Sequence, residues 1–326
     1  MGTTTTMTSP SSNTRKIFNN RNFVLTWIGQ IISTAGDYTF DTTLILWITT
    51  VIARGQPWAP LAVGGVLLAA ALPVFVVGPI AGVFVDRWNK RLTMIRMDFA
   101  RTALILALLL ATGMWNAPFV AAAHVSSLWL LGILYIVVFL TSACAQFFNP
   151  SLLVFIKEIV DEPEIARATG LAQFSGNLTM VIGPSLATLL FFRLGVQWLF
   201  LFNALSFLVS FLSILMARIS PPAETEGAEQ EQQGNFIQQF GEGVRFYIHN
   251  RVLMTILVAG GAGMLFIGTS NALGIFFVIR NLHASPALYG FMATTFGVGL
   301  TAGAILASLF AQRVGLVRMF WISLVL

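Results

Sequence analysis

The chain predicts an all-α membrane protein, and three observations carry that prediction. Hydrophobic residues make up 56% of the sequence and charged residues only 10%, where soluble domains carry about 25% charged residues. So few charges cannot cover the surface of a 326-residue soluble protein, so lipid must be the solvent over most of it. The apolar residues gather into runs of about 20, the length that crosses a bilayer as a helix. The basic residues fall between alternate runs, as positive-inside segregation requires.

Eight runs qualify as spans, at about 23–52, 60–85, 92–114, 127–149, 168–192, 196–217, 252–280 and 286–311, and a ninth begins near Val317. At this length only helices satisfy their own backbone groups in hydrocarbon. Fifteen Lys and Arg fall on the side of the N-terminus, among them Arg21, Arg87, Lys90, Arg91, Arg96, Lys157, Arg218 and Arg313, against Arg54, Arg193 and Arg280 on the other. The N-terminus is therefore expected in the cytoplasm, in a multi-pass protein of the cell's inner (plasma) membrane.

Residues 1–21 read as a cytoplasmic tail, 22–218 as a six-helix bundle, 219–250 as a cytoplasmic linker and 251–326 as part of a second bundle. The tail lacks the apolar core of a signal peptide. Its Met1-Gly2…Thr6 fits a myristoylation pattern, which a multi-spanning protein does not need. The linker opens acidic, with Glu224, Glu226, Glu229 and Glu231 after Pro221-Pro222, and is expected to be flexible. Its second half spaces Phe236, Phe240, Val244 and Tyr247 helically, as in a helix lying on the membrane surface. Asp86-Arg87 after the second span and Gln312-Arg313 after the eighth hint at a repeat with an offset of 226 residues. On that offset the second bundle stops within the counterpart of the third span, so three further spans are expected beyond Leu326.

Charged groups inside spans cost about 2.5–3.5 kcal/mol each on insertion scales. Asp37 and Asp41 are the two carboxylates well inside an apolar run, one turn apart and on the same helical face as Gln30 and Thr34. That stripe fits the wall of a central cavity, where two neighbouring carboxylates would share a proton. The alternative is that Asp37 caps a break at Gly36 or pairs with a basic group. Gln146, Asn177, Asn203 and Asn271 are further polar residues within spans, each open to an interhelical hydrogen bond or a substrate contact. Asn177-Leu178-Thr179 fits a glycosylation sequon but lies inside a span. Cys144 is the one cysteine and excludes an intrachain disulfide.

The segment Gly82-Val83-Phe84-Val85-Asp86-Arg87-Trp88-Asn89-Lys90-Arg91 resembles the G-x-x-x-D-R-x-G-R-R loop of the major facilitator superfamily. Gly82 would allow close helix approach, and Asp86 would cap or pair at the surface. Arg87, Lys90 and Arg91 would face anionic headgroups. Asn89 stands where glycine is usual and tolerates the left-handed conformation. Gly29-Gln30…Gly36-Asp37, Asp98-x-x-Arg101, Phe147-Phe148-Asn149-Pro150 closing the fourth span, Glu158, Arg167-Ala168 and Gly241-Glu242-Gly243-Val244-Arg245-Phe246 are similar to the macrolide-efflux and enterobactin-exporter branch. Lys157 and Thr169 depart from its pattern. Gly183-Pro184 keeps the core of the drug-exporter motif in the fifth span, where it marks either a packing kink or export direction.

The resemblance implies a major facilitator fold of two six-helix bundles, the second incomplete here. It implies a secondary transporter exporting amphipathic small molecules by alternating access, with protons as coupling ion and the bilayer as its environment, acting as a monomer without nucleic acid or cofactor. A transport-inactive remnant or membrane interaction module is the competing reading. An intramembrane enzyme finds no support: His124, His249 and His283 fall in different loops, and no metal-ligand, nucleophile or Walker lysine spacing occurs.

Overall fold

A computed structural model describes residues 14–112, 127–217, 245 and 249–314. Ten α-helices order these residues: α1 (Thr14–Asn19), α2 (Arg21–Trp47), α3 (Ala59–Val76), α4 (Gly78–Arg87), α5 (Lys90–Ala111), α6 (Ser127–Ile159), α7 (Ile165–Leu194), α8 (Val196–Met216), α9 (Arg251–Phe276) and α10 (Ala287–Val314). No strand occurs among the described residues. The eight predicted spans correspond to α2, α3 with α4, then α5 to α10 in turn. The ninth span and the membrane-surface helix of the linker lie outside the described residues.

Two boundaries differ from expectation. The second span breaks at Val77, between α3, which carries Pro73, and α4, which has proline in its first turn. A proline ring blocks the hydrogen bond of the preceding turn, so the break falls where proline removes donors. The fourth span does not close at Pro150: α6, 33 residues long, runs on to Ile159. Its extension keeps an apolar periodicity, with Ile156 packed against Ile17, Phe23 and Ala168, and Phe155 against Met94 and Ile214. That burial outweighs the one backbone bond lost at the proline.

Helices α2 and α9 end alike. Each passes into a π-helical turn, Ile48–Ile52 and Phe277–Asn281. Trp47 and Phe276, the last residues of the two α-helices, are 229 residues apart, close to the offset of 226 read from the sequence. The two halves therefore share local structure as well as hydropathy.

The chain divides into two compact units, residues 1–219 with 278–301 and residues 220–277 with 302–326. The boundary cuts across the expected second bundle, because the first half of α10 belongs with the first unit. There Ser185 Oγ of α7 donates to the Gly290 carbonyl at 3.0 Å and also bonds the Thr294 hydroxyl. A side chain at Gly290 would collide with Thr188 of α7 and one at Gly297 would press tightly on Val181, so small residues favour this contact. In the second unit, Asn250 caps α9 by accepting from the Val252 and Leu253 amides.

Within the first unit, α2 and α8 run antiparallel along a seam of small residues. Gly29 meets Ser213 and Ser210, Gly36 meets Ser206 and Asn203, and Phe40 and Trp47 pack on Phe200. Large apolar side chains point outward instead: Leu61 is 79% exposed, Leu110 81% and Leu128 80%. A surface of this kind is stable only against lipid.

Candidate functional site

The polar stripe predicted on the first span is present on α2. The helix runs unbroken through Gly36, so Asp37 caps no break. Asp37 and Asp41 are exposed and Gln30 and Thr34 are half-buried, while Ser33, Gly36, Thr39 and Phe40 between them are buried. Helix α8 covers one face of α2 and leaves this one open. A cavity of about 270 Å³ sits at the N-terminal half of that face, walled by α2, α6 and α7. Phe23, Trp27, Leu152 and Ile156 give it an apolar wall, and Gln30, Thr34, Asn149 and Gln173 place amides and a hydroxyl on it. Trp27 Nε1 donates to Ser175 Oγ at 3.1 Å, tying α2 to α7.

Gln30 also faces the interior of the bundle, where its Nε2 donates to Ser210 Oγ at 2.8 Å. Ser210 Oγ in turn donates to Asp98 Oδ2 at 2.6 Å. Asp98 is fully buried, and its Oδ1 stands 3.8 Å from Arg101 Nη1. The Arg101 guanidinium lies over the rings of Phe148 at 5.0 Å and Phe207 at 5.2 Å. Ion pairing together with two aromatic faces compensates a charge that burial alone would expel. The Asp98-x-x-Arg101 spacing is thus a buried pair wired to the cavity wall, a link among α2, α5 and α8 that residue spacing did not reveal. Its one sequence signal was the serines Ser206, Ser210 and Ser213, spaced along one side of a largely apolar α8.

The other expected site residues scatter. Gln146 Nε2 donates to the Ser142 carbonyl of its own helix at 3.3 Å. Asn177 is exposed and accepts from Gln173 at 3.4 Å. Among the described residues neither makes an interhelical bond, and neither lines the cavity. Asn203 is buried against Gly36. The side chains of Asn271 and Asp86 lie outside the described residues.

In the loop motif three expectations change. Gly82 makes no close helix approach, since a side chain there would meet nothing within 4 Å among the described residues. Ala81 and Val85 take the buried face of α4 instead. Asn89 adopts φ −67° and ψ 112°, and its side chain accepts from the Leu92 amide. It is therefore an N-cap for α5 and not a left-handed turn residue. Arg91 turns inward from the headgroups, donating to the carbonyls of Ile214 at 3.2 Å and Leu215 at 2.7 Å. The last carbonyls of α8 have no intrahelical partners and carry the negative end of its dipole, which draws the guanidinium. Arg87 is exposed and Lys90 half-buried.

The Gly-Pro pair of the fifth span does its packing against α2. Gly183 is buried on Tyr38 Cβ, between Asp37 and Asp41 in sequence. Helix α7 continues without interruption through Pro184, whose carbonyl accepts from Thr188 Oγ1 at 2.8 Å.

Two solved structures share this helix arrangement. A D-xylose-proton symporter matches with a TM-score of 0.60 at 12% identity, covering 90% of this chain and 69% of that one. A bacterial homologue of the human lysosomal transporter Spinster, inward-facing and unoccupied, matches with a TM-score of 0.59 at 16% identity over 90% of this chain and 64% of its own. A lipid-facing all-helical bundle of this arrangement is a multi-pass membrane protein with the major facilitator fold. Residues 13–326 match the transmembrane secretion effector family of that superfamily, and the chain belongs to it. It is 24% identical to the MFS-type transporter YkuC of Bacillus subtilis over 91% of this chain and 66% of that protein. To macrolide efflux protein A of Streptococcus pyogenes it is 22% identical over 89% of this chain and 67% of that protein. The chain thus spans about two thirds of the length of the curated relatives it matches.

Proposed function

We propose that this chain is part of a secondary exporter that moves amphipathic small molecules out of the cell in exchange for protons. The observation that carries the reading is the open face of α2, which holds Asp37 and Asp41 exposed on the same helix as a cavity with mixed aromatic and amide walls; the cavity lining ends at Thr34, and neither aspartate is part of it. An amphipathic molecule needs an apolar wall for its body and a few fixed polar groups for orientation. Carboxylates left exposed inside a membrane span are costly unless they exchange protons or meet a cationic or polar cargo. The similarity to a macrolide efflux protein supports the substrate class and the outward direction.

In this reading the cavity opens alternately to the two sides of the membrane, and a proton on the Asp37–Asp41 pair replaces the cargo. The basic ends of α2, α5 and α6 face the cytoplasm, in keeping with the distribution of Lys and Arg. The test is erythromycin uptake into inverted vesicles that contain the protein, with and without a proton gradient. Uptake should fall when an ionophore dissipates the gradient, and an unchanged rate would remove proton antiport. Asp37→Asn and Asp41→Asn should each uncouple uptake from the gradient. A variant that keeps gradient-driven uptake takes its aspartate out of the coupling role.

A further inference from the structure

We propose that Asp98, acting through Ser210, holds the Gln30 amide with its carbonyl oxygen turned into the α2–α6–α7 cavity, so that the cavity selects cargo presenting a hydrogen-bond donor beside an apolar body. The inference rests on reading that cavity as the cargo site and names the polar group the cargo must carry.

Each proton along the short chain from Asp98 to Gln30 has one place to go. Asp98 pairs with Arg101 Nη1 at 3.8 Å, and a paired carboxylate has lone pairs and no proton to give. Ser210 Oγ lies 2.6 Å from Asp98 Oδ2 and so spends its single proton there. Toward Gln30, 2.8 Å away, the same hydroxyl can only accept. An amide has one donor end and one acceptor end. The Nε2 end must therefore face Ser210, because the reverse orientation would set the Oε1 lone pairs against those of Ser210. Gln30 lines the cavity while Asp98 and Ser210 do not. With the Nε2 end held on Ser210, the Oε1 acceptor is the end of the amide turned away from Ser210 and toward the cavity.

The neighbouring groups sharpen the preference. The Trp27 indole N–H, the strongest donor on the aromatic wall, is already given to Ser175 at 3.1 Å. Phe23, Leu152 and Ile156 bring no polar group. A cargo hydroxyl, amine or ammonium thus finds an oriented acceptor at Gln30, while the Thr34 hydroxyl and the Asn149 amide, which can turn either way, discriminate less between donor and acceptor. Gln30 is the specificity-determining contact. Ser210 and Asp98 are positioning residues.

Two lipophilic cations separate this from a structural role: ethidium, whose aromatic amines donate, and tetraphenylphosphonium, which has no donor. Binding of each to the purified protein in detergent is measured for the wild type, Ser210→Ala, Ser210→Ala with Gln30→Glu, and Phe23→Ala. Freeing the amide in Ser210→Ala should weaken ethidium by on the order of tenfold, the value of one oriented hydrogen bond, and leave tetraphenylphosphonium unchanged. Adding Gln30→Glu, whose carboxylate accepts in any orientation, should restore ethidium. Phe23→Ala should weaken both ligands. Equal loss of both ligands in Ser210→Ala, or no loss of either, overturns the orienting role while Phe23→Ala still marks the cavity as the site. If Phe23→Ala changes neither ligand, or the wild type binds neither, the cargo-site reading falls and this inference with it. Should Ser210→Ala fail to fold, Ser210→Cys makes the same comparison, since a thiol is a weak donor and a weak acceptor.

Discussion

Gly183 of α7 rests directly on Tyr38 Cβ of α2, leaving no room for a methyl group between the helices. The contact lies one residue from Asp37, so it sets how closely α7 approaches the acidic stretch of α2. Gly183→Val should push the helices apart and cost roughly 1–3 kcal/mol, the usual penalty for overpacking. Thermal unfolding of the purified protein in detergent would show it, and an unchanged midpoint would mean the helices separate freely here.

The α2–α8 seam makes a second, paired prediction. A side chain at Gly29 would strike Ser213, whose hydroxyl donates to the Ser210 carbonyl at 2.8 Å. Gly29→Ala should lower stability by about 1–3 kcal/mol, and adding Ser213→Gly should recover part of that loss. The double-mutant cycle should therefore be strongly non-additive, as contacting residues are. Additive losses would show that the two positions do not touch.

The buried pair predicts a sharper asymmetry. Arg101→Met strands Asp98 in the core without its partner and should cost about 3–5 kcal/mol, as breaking a buried pair does. Arg101→Met with Asp98→Asn removes both charges, and its loss should be smaller than that of Arg101→Met alone. Chemical unfolding of the two variants makes the comparison. Equal losses would place the stabilisation in the aromatic packing around Arg101 and not in the charge pair.

Orientation can be read with thiol labels. On a Cys144→Ser background, Lys157→Cys lies at the exposed, basic end of α6, and Gln56→Cys lies in the exposed turn after the π-helix. A membrane-impermeant maleimide added to intact cells should label Gln56→Cys readily, and Lys157→Cys only after permeabilisation. The opposite pattern would place the N-terminus outside.

Most of the fold was legible in the sequence, because hydropathy in a lipid solvent is a one-dimensional signal. Each span must satisfy its own backbone, so length and apolarity alone located α2, α5, α7, α8, α9 and α10. The misreadings fell where a local rule competed with burial. Pro150 looked like a helix end, but Phe155 and Ile156 packed well enough to carry α6 past it. Arg91 looked like a headgroup ligand, but unsatisfied α8 carbonyls lay nearer. Asn89 looked like a glycine substitute, but the first turn of α5 needed a cap.

The sequence by itself determined the class of solvent, the order of the eight described spans, and the acidic stripe on α2, since each depends on residues close together in the chain. The interhelical partners of Gln30 and Asp98 lie more than a hundred positions away in the chain, and only the tertiary structure decided those. Gln30, Asp98 and Ser210 show no pattern in common along the chain. They become one hydrogen-bonded path only because Gly29 and Gly36 let α8 lie against α2 closely enough for its serines to reach inward.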